Sequence, residues 1–231
     1  MTNQSISVVM LGATGAVGTQ TLKALLSIPT IRQVTTLGRR PVPKITNELV
    51  KQHKTDVFEP NSYKHYLTNH QVAICTLGVG EPSKVSREDF LKIDKLAVLA
   101  FAKACKEAGV SHFELLSSVG ISAEYKSFFL RTKGELVEEL KGLEFERLSI
   151  FQPSMILTPT NRYGFTQALT LAIWPKLNPI LLGRLKKYRG IKVEQLGQAF
   201  AANLLHPKKG IEMLSWGDFQ SLFPKLSSNF K

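Results

Sequence analysis

An apolar run over residues 6–11 leads straight into Gly12-Ala13-Thr14-Gly15-Ala16-Val17-Gly18, and an amphipathic pattern starts at Val17. Glycines at this spacing permit a tight strand-to-helix turn and a close backbone approach to a pyrophosphate. The helix start that follows offers unpaired N–H groups and a positive dipole end. Three glycines alone say little, but between a strand and a helix they point to a dinucleotide turn. The plainer alternative is a turn that merely needs glycine. The turn assigns Gly12, Thr14, Gly15, Ala16, Val17 and Gly18 to the phosphates of a cofactor.

The rest of the chain keeps that rhythm. Short apolar runs alternate with longer helical patterns, which argues for parallel βαβ units. Strands are predicted at 5–11, 33–38, within 48–57, at 71–77, at 112–117 and at 146–152. Helices are predicted at 17–27, 60–67, 86–108 and 128–141, the 86–108 helix with Leu91, Leu96, Leu99 and Ala102 in its apolar stripe. Prolines at 153, 159, 175 and 179 then break the chain into short pieces, before a helix at 193–205 and a short strand or turn at 211–214. The fold class expected is α/β, a Rossmann-like doubly wound parallel sheet over about the first 155 residues. A small C-terminal cap (residues 158–231) completes a single nucleotide-binding domain.

Composition limits the function classes. The 231 residues suffice for a core without disulfides or metals. Cys75 and Cys105 are too few for a disulfide scaffold or a multi-cysteine zinc module. Lys and Arg total 30 against 18 Asp and Glu, a net charge of +12. Such a surplus suits a nucleic acid, a membrane surface or an anionic small ligand. The N-terminus lacks a secretory pattern, and the apolar stretch 168–182 is short and broken by Pro175, Lys176 and Pro179. The expectation is a soluble cytoplasmic protein with both thiols free and no membrane partner.

The second predicted strand ends in Leu37-Gly38-Arg39-Arg40. An acidic residue here binds the ribose 2′-hydroxyl of NAD, whereas an arginine accommodates the 2′-phosphate of NADP. Two arginines and no acid favour NADP(H). Arg39 comes first after the strand end and is assigned the phosphate, while Arg40 either stacks on the adenine or stays in solvent. Two solvated arginines before Pro41 are the competing reading.

These motifs are joined by Cys75-Thr76-Leu77-Gly78, Leu115-Leu116-Ser117-Ser118 and Lys133-Gly134-Glu135-Leu136-Val137-Glu138. In this order they resemble an atypical short-chain dehydrogenase/reductase, nearest to the Tat-interacting-protein-like oxidoreductases. The likeness runs from about residue 8 to residue 157. It implies that Asp56, with Val57, meets the adenine edge and that Leu77 and Gly78 pass the adenosine ribose. It implies that Ser118, or alternatively Ser117, orients the substrate. It implies that Lys133 binds the nicotinamide ribose and that Pro153 and Met155 lie beside the nicotinamide. Ser118 and Lys133 are thus the catalytic candidates.

The resemblance also shows a departure. Active members of that family carry a tyrosine four residues before the lysine, and here that position is Phe129. Positions i and i+4 share a helix face, and phenylalanine has no proton to give. Three readings stay open: cofactor binding without hydride chemistry, another donor such as Tyr125 or Tyr163, and water or Lys133 itself as the acid. An oxidoreductase on a small carbonyl or sugar-like substrate and an NADPH-sensing regulatory protein are weighed about equally.

Other chemistry is thinner. The five histidines, His53, His65, His70, His112 and His206, show no metal-ligand spacing, so no metal site is expected. The elbow of a serine nucleophile is absent. Cys75 reads as a small core residue. Arg184, Lys186, Lys187, Arg189 and Lys192, with Tyr188 among them, form a basic run. A solvated loop is preferred there over a nucleic-acid or lipid contact. The expected partners are NADP(H) and a small-molecule substrate, in a monomer or a homodimer.

Overall fold

A computed structural model describes residues 5–159, 178–206 and 208–228. Seven parallel strands form one sheet: β1 (Ile6–Leu11), β2 (Ile31–Gly38), β3 (Val50–Lys54), β4 (Val72–Cys75), β5 (His112–Leu116), β6 (Arg147–Phe151) and β9 (Gly210–Leu214). Their order across the sheet is β3-β2-β1-β4-β5-β6-β9. The order reverses between β1 and β4, the kind of switch point where open α/β sheets bind ligands beyond the strand C-termini. A separate ribbon pairs β7 (Ile156–Leu157) with β8 (Ile191–Lys192).

Both faces of β1 are buried, which is why it reads as a continuous apolar run. Val8 and Met10 face one core, with Leu22, Leu25, Phe151, Phe200 and Phe219. Val9 and Leu11 face the other, with Phe101, Phe113, Leu136 and Leu140. Helices α1 (Ala16–Leu25), α5 (Val193–Asn203) and α6 (Trp216–Ser228) cover the first face. Helices α3 (Val98–Glu107) and α4 (Phe128–Lys141) cover the second.

Four expectations need correction. The sheet does not end near residue 155, because residues 210–214 pair with β6 as its seventh strand. The residues beyond 157 therefore supply core as well as cap. The helix expected at 60–67 is two short 3₁₀ turns, Pro60–Ser62 and Lys64–Tyr66. The helix expected at 86–108 is interrupted: α2 (Arg87–Leu91) passes through a π-helical turn, Lys92–Ala97, into α3. The buried side still recurs at helical spacing, through Phe90, Asp94, Val98, Phe101 and Cys105. Leu96 is left 52% exposed, while Asp94 is turned into the interior. Tyr163 and residues 168–177 of the apolar stretch lie outside the described residues. No helix among the described residues is long and apolar enough to cross a membrane.

Candidate functional site

The glycine turn sits at the switch point. Gly12 has φ +89°, and a Cβ on it would lie 2.5 Å from the Leu77 nitrogen at the end of β4. A Cβ on Gly18 would lie 2.3 Å from the Gly12 carbonyl oxygen. Both positions therefore exclude a side chain sterically. Thr76 closes the turn from β4, its hydroxyl donating to the Gly12 carbonyl at 3.1 Å. Gly15 caps α1, so the amides of the first helical turn have no partner further back in the helix.

From this turn a cavity of about 460 Å³ opens along the C-terminal edge of the sheet. Its near end is lined by Gly15, Ala16, Val17, Leu77 and Gly78, and its far end by Ser117, Ser118, Phe129, Lys133, Pro153 and Met155. The sequence had singled out every one of these residues, and the fold brings them to one crevice. Gly12, Thr14, Gly18, Arg39, Arg40, Asp56 and Val57 do not line it. Gly12 and Gly18 shape the turn beneath it. Arg39 and Arg40 stand exposed just beyond the end of β2. The Asp56 carboxylate accepts the Phe58 N–H at 3.0 Å, and Val57 is buried.

The far end gathers the titratable and hydroxyl side chains. Ser117 is 8% exposed, and its hydroxyl has no hydrogen-bond partner among the described residues. An unpaired buried hydroxyl is costly to leave unmade, and in a cavity wall it fits a bound polar group. Lys133, on α4, donates to Asp94 Oδ1 at 2.8 Å. The other carboxylate oxygen, Asp94 Oδ2, accepts the Val79 N–H at 2.8 Å. One buried carboxylate thus ties the loop after β4 to α4. The Lys133 ammonium also lies 5.6 Å from the centroid of the Phe129 ring.

Sequence reasoning missed Asp94, which lines the same cavity. Its signal was a carboxylate on the apolar side of a helix, four residues after Phe90 and four before Val98. Glu81 also lines the cavity and was not singled out. Tyr125 does not line it and is 49% exposed.

The remaining reactive groups lie elsewhere. Cys75 and Cys105 are free and buried. Burial pushes the Cys75 thiol up to about 12, so it stays protonated. In the basic run Arg184, Lys186, Lys187 and Lys192 are exposed. Arg189 is partly engaged, its guanidinium 4.8 Å from the Trp216 ring centroid and donating to the Leu181 carbonyl at 2.8 Å.

The fit to a nucleotide cofactor can be tested on these residues. The steric exclusion at Gly12 and Gly18, the open helix start at Gly15 and the orphaned Ser117 hydroxyl all suit an elongated polar ligand lying along the sheet edge. Residues 12–142 match the model of a family described as NAD(P)H-binding. The chain is 35% identical over 159 residues to Protein HTATIP2 of Rattus norvegicus, a match spanning 67% of this chain and 64% of that protein. It is 31% identical over 178 residues to the mitochondrial Protein FMP52 of Candida albicans, covering 74% of this chain and 77% of the relative. The fold matches that of MoeE5 in complex with UDP-glucuronic acid and NAD. That match has a TM-score of 0.69 and 16% identity, over 90% of this chain and 75% of that one. The cytoplasmic expectation is overturned here, because several relatives are named mitochondrial.

Proposed function

The chain belongs to the NAD(P)H-binding family, among the atypical short-chain dehydrogenases/reductases of the HTATIP2 branch, and from that premise we propose that it takes NADP(H) and acts as an oxidoreductase on a small carbonyl or sugar-like substrate. The observation that carries this reading is the cavity running from the first turn of α1 to Ser117, Ser118 and Lys133.

Within that reading the first turn of α1 holds the pyrophosphate. Arg39 takes the 2′-phosphate, since a guanidinium matches phosphate geometry where an acid would serve a free hydroxyl. Arg40 flanks the adenine, and Asp56 with Val57 meets its edge. Leu77 and Gly78 run along the adenosine ribose. Lys133 reaches the nicotinamide ribose, and Pro153 and Met155 pack beside the nicotinamide ring. The cofactor supplies or accepts a hydride at the substrate carbon. Ser118, with Ser117 beside it, donates a hydrogen bond to the substrate oxygen and holds the carbonyl in place.

A hydride delivered to a carbonyl carbon must be matched by a proton on the oxygen. Phe129 stands on the helix face where the family tyrosine would give one, so Lys133 or water supplies it. General acid–base assistance contributes typically ~10²–10⁴-fold, and turnover is expected to be slow by that margin. One observation favours a second reading, an NADPH-responsive binding protein: the Lys133 charge is already matched by the buried Asp94 carboxylate at 2.8 Å.

NADPH consumption with a panel of small aldehydes, ketones and sugar-type carbonyls tests both. Slow turnover by the native chain, raised in Phe129→Tyr, supports the oxidoreductase. A silent native chain that binds NADPH, with activity only in Phe129→Tyr, identifies a disabled reductase that works by binding. Failure of NADPH to bind contradicts both.

A further inference from the structure

We infer that Lys54, at the end of β3, is a second cation, beside Arg39, of the site for the cofactor's 2′-phosphate and so a determinant of NADP(H) selectivity. The inference rests on the NADP(H) reading above and adds a residue to it.

Strand pairing sets the position. In the parallel ladder of β2 and β3 the Cα partner of Gly38 is Lys54, so the two lie side by side, about 5 Å apart by strand spacing. Arg39 follows Gly38 directly. The Thr55 N–H donates to the Gly38 carbonyl at 3.0 Å, which holds this register at the point where both strands end.

The direction of the side chain follows from strand alternation, because residues two apart share a face. The Gln52 side chain accepts the Val42 N–H at 2.7 Å, so the face shared by Gln52 and Lys54 is the one over which the segment Arg39–Val42 folds. His53 takes the opposite face, where its ring stacks on Tyr66 at 3.7 Å. Lys54 therefore projects toward the arginine segment and away from the aromatic one.

Charge supplies the reason for a second cation. A phosphate monoester carries between one and two negative charges at neutral pH, more than one guanidinium neutralises. Lys54, Arg39 and Arg40 are all exposed, and no ion pair among the described residues engages any of them. The acid of this region, Asp56, is occupied by the Phe58 amide.

Calorimetric titration of the full chain with adenosine 2′,5′-bisphosphate and with 5′-AMP separates the phosphate contribution from the rest of the nucleotide. The expected result is tighter binding of the bisphosphate by the native chain. Lys54→Met should then weaken the bisphosphate about two- to fivefold, the scale of one solvent-exposed charge pair, and leave 5′-AMP unchanged. Lys54→Arg should restore it, and added salt should shrink the difference. If Lys54→Met weakens both probes alike, or neither, while Arg39→Met abolishes the preference, Lys54 is not part of the site and the NADP(H) reading stands. If the native chain does not distinguish the probes, the NADP(H) reading falls and this inference falls with it.

Discussion

Two buried cation–carboxylate pairs sit on the same sheet and do opposite things. Near the strand C-termini, Lys133 meets Asp94 at 2.8 Å in the wall of a cavity. Nearer the N-terminal ends of β5, β6 and β9, Arg147 meets Glu212 at 2.8 Å, with both side chains almost wholly buried. The Arg147 pair is saturated. Its guanidinium donates to Glu212 Oε1, to the carbonyls of Asn203 and His206, and to Asn203 Oδ1. Neighbours on the adjoining strand and helix complete it, Ser149 of β6 donating to Glu212 at 2.5 Å and Asn203 of α5 donating to Glu114 at 2.8 Å. The Lys133 ammonium is matched by Asp94 and lines a cavity shared with Ser117, Ser118 and Phe129. The Arg147 pair fastens the seventh strand, whereas the Lys133 pair stands in a cavity wall. Access to a cavity, rather than burial of charge, distinguishes the two pairs.

Arg147→Met should have the largest effect on stability, a loss of about 3–5 kcal/mol in chemical denaturation, because it breaks a buried ion pair and leaves the Asn203 and His206 carbonyls without their guanidinium donor. A loss under about 1 kcal/mol would mean that the cluster is not closed. Asp94→Asn should cost less, about 1.5–3 kcal/mol, since the amide oxygen can still accept the Val79 N–H. Nucleotide affinity should change in Asp94→Asn and not in folded Arg147→Met. Equal shifts in both would erase the distinction between the pairs.

The smallest effect is a pH dependence. Burial, then Arg147, lowers His112 from its ordinary 6.5 to about 3, against a weaker opposing pull from Glu212. The unfolded imidazole takes its proton first as pH falls. His112 therefore contributes stability in full above about 6.5 that is lost progressively toward pH 3. Glu212 acts in the same sense at lower pH. Its burial is outweighed by hydrogen bonds from Ser149, Lys208 and Arg147, which hold it down to about 2. Glu114 acts oppositely, because burial raises its carboxyl well above the usual range and favours the fold at low pH. Denaturation midpoints at pH 7 and pH 5 should differ more in the native chain than in His112→Asn. Equal differences would remove His112 from the account.

The glycine turn was legible in sequence because its requirements are local: a strand, a turn and a helix start within a dozen residues. Helix α4 was legible at both ends, since its periodicity runs unbroken from Phe128 to the stop at Gly142. Residues 211–214 read as a strand or turn, but their place in the sheet depended on pairing with β6 some sixty residues away, which no local pattern encodes. Asp94 was hidden for a different reason. Asp94 lies at ordinary helical spacing between Phe90 and Val98, but a stripe drawn through Leu91 and Leu96, five residues apart, passes over it. Arg39 was found by its position after β2, whereas Lys54 emerged only once the β2–β3 register was known.

Competitive titration of the native chain with NADPH and NADH tests the central claim most directly. A crevice built for a nicotinamide nucleotide and flanked by Arg39 and Lys54 should bind NADPH the tighter of the two, with Arg39→Met bringing the affinities together. Equal or tighter binding of NADH by the native chain would contradict it.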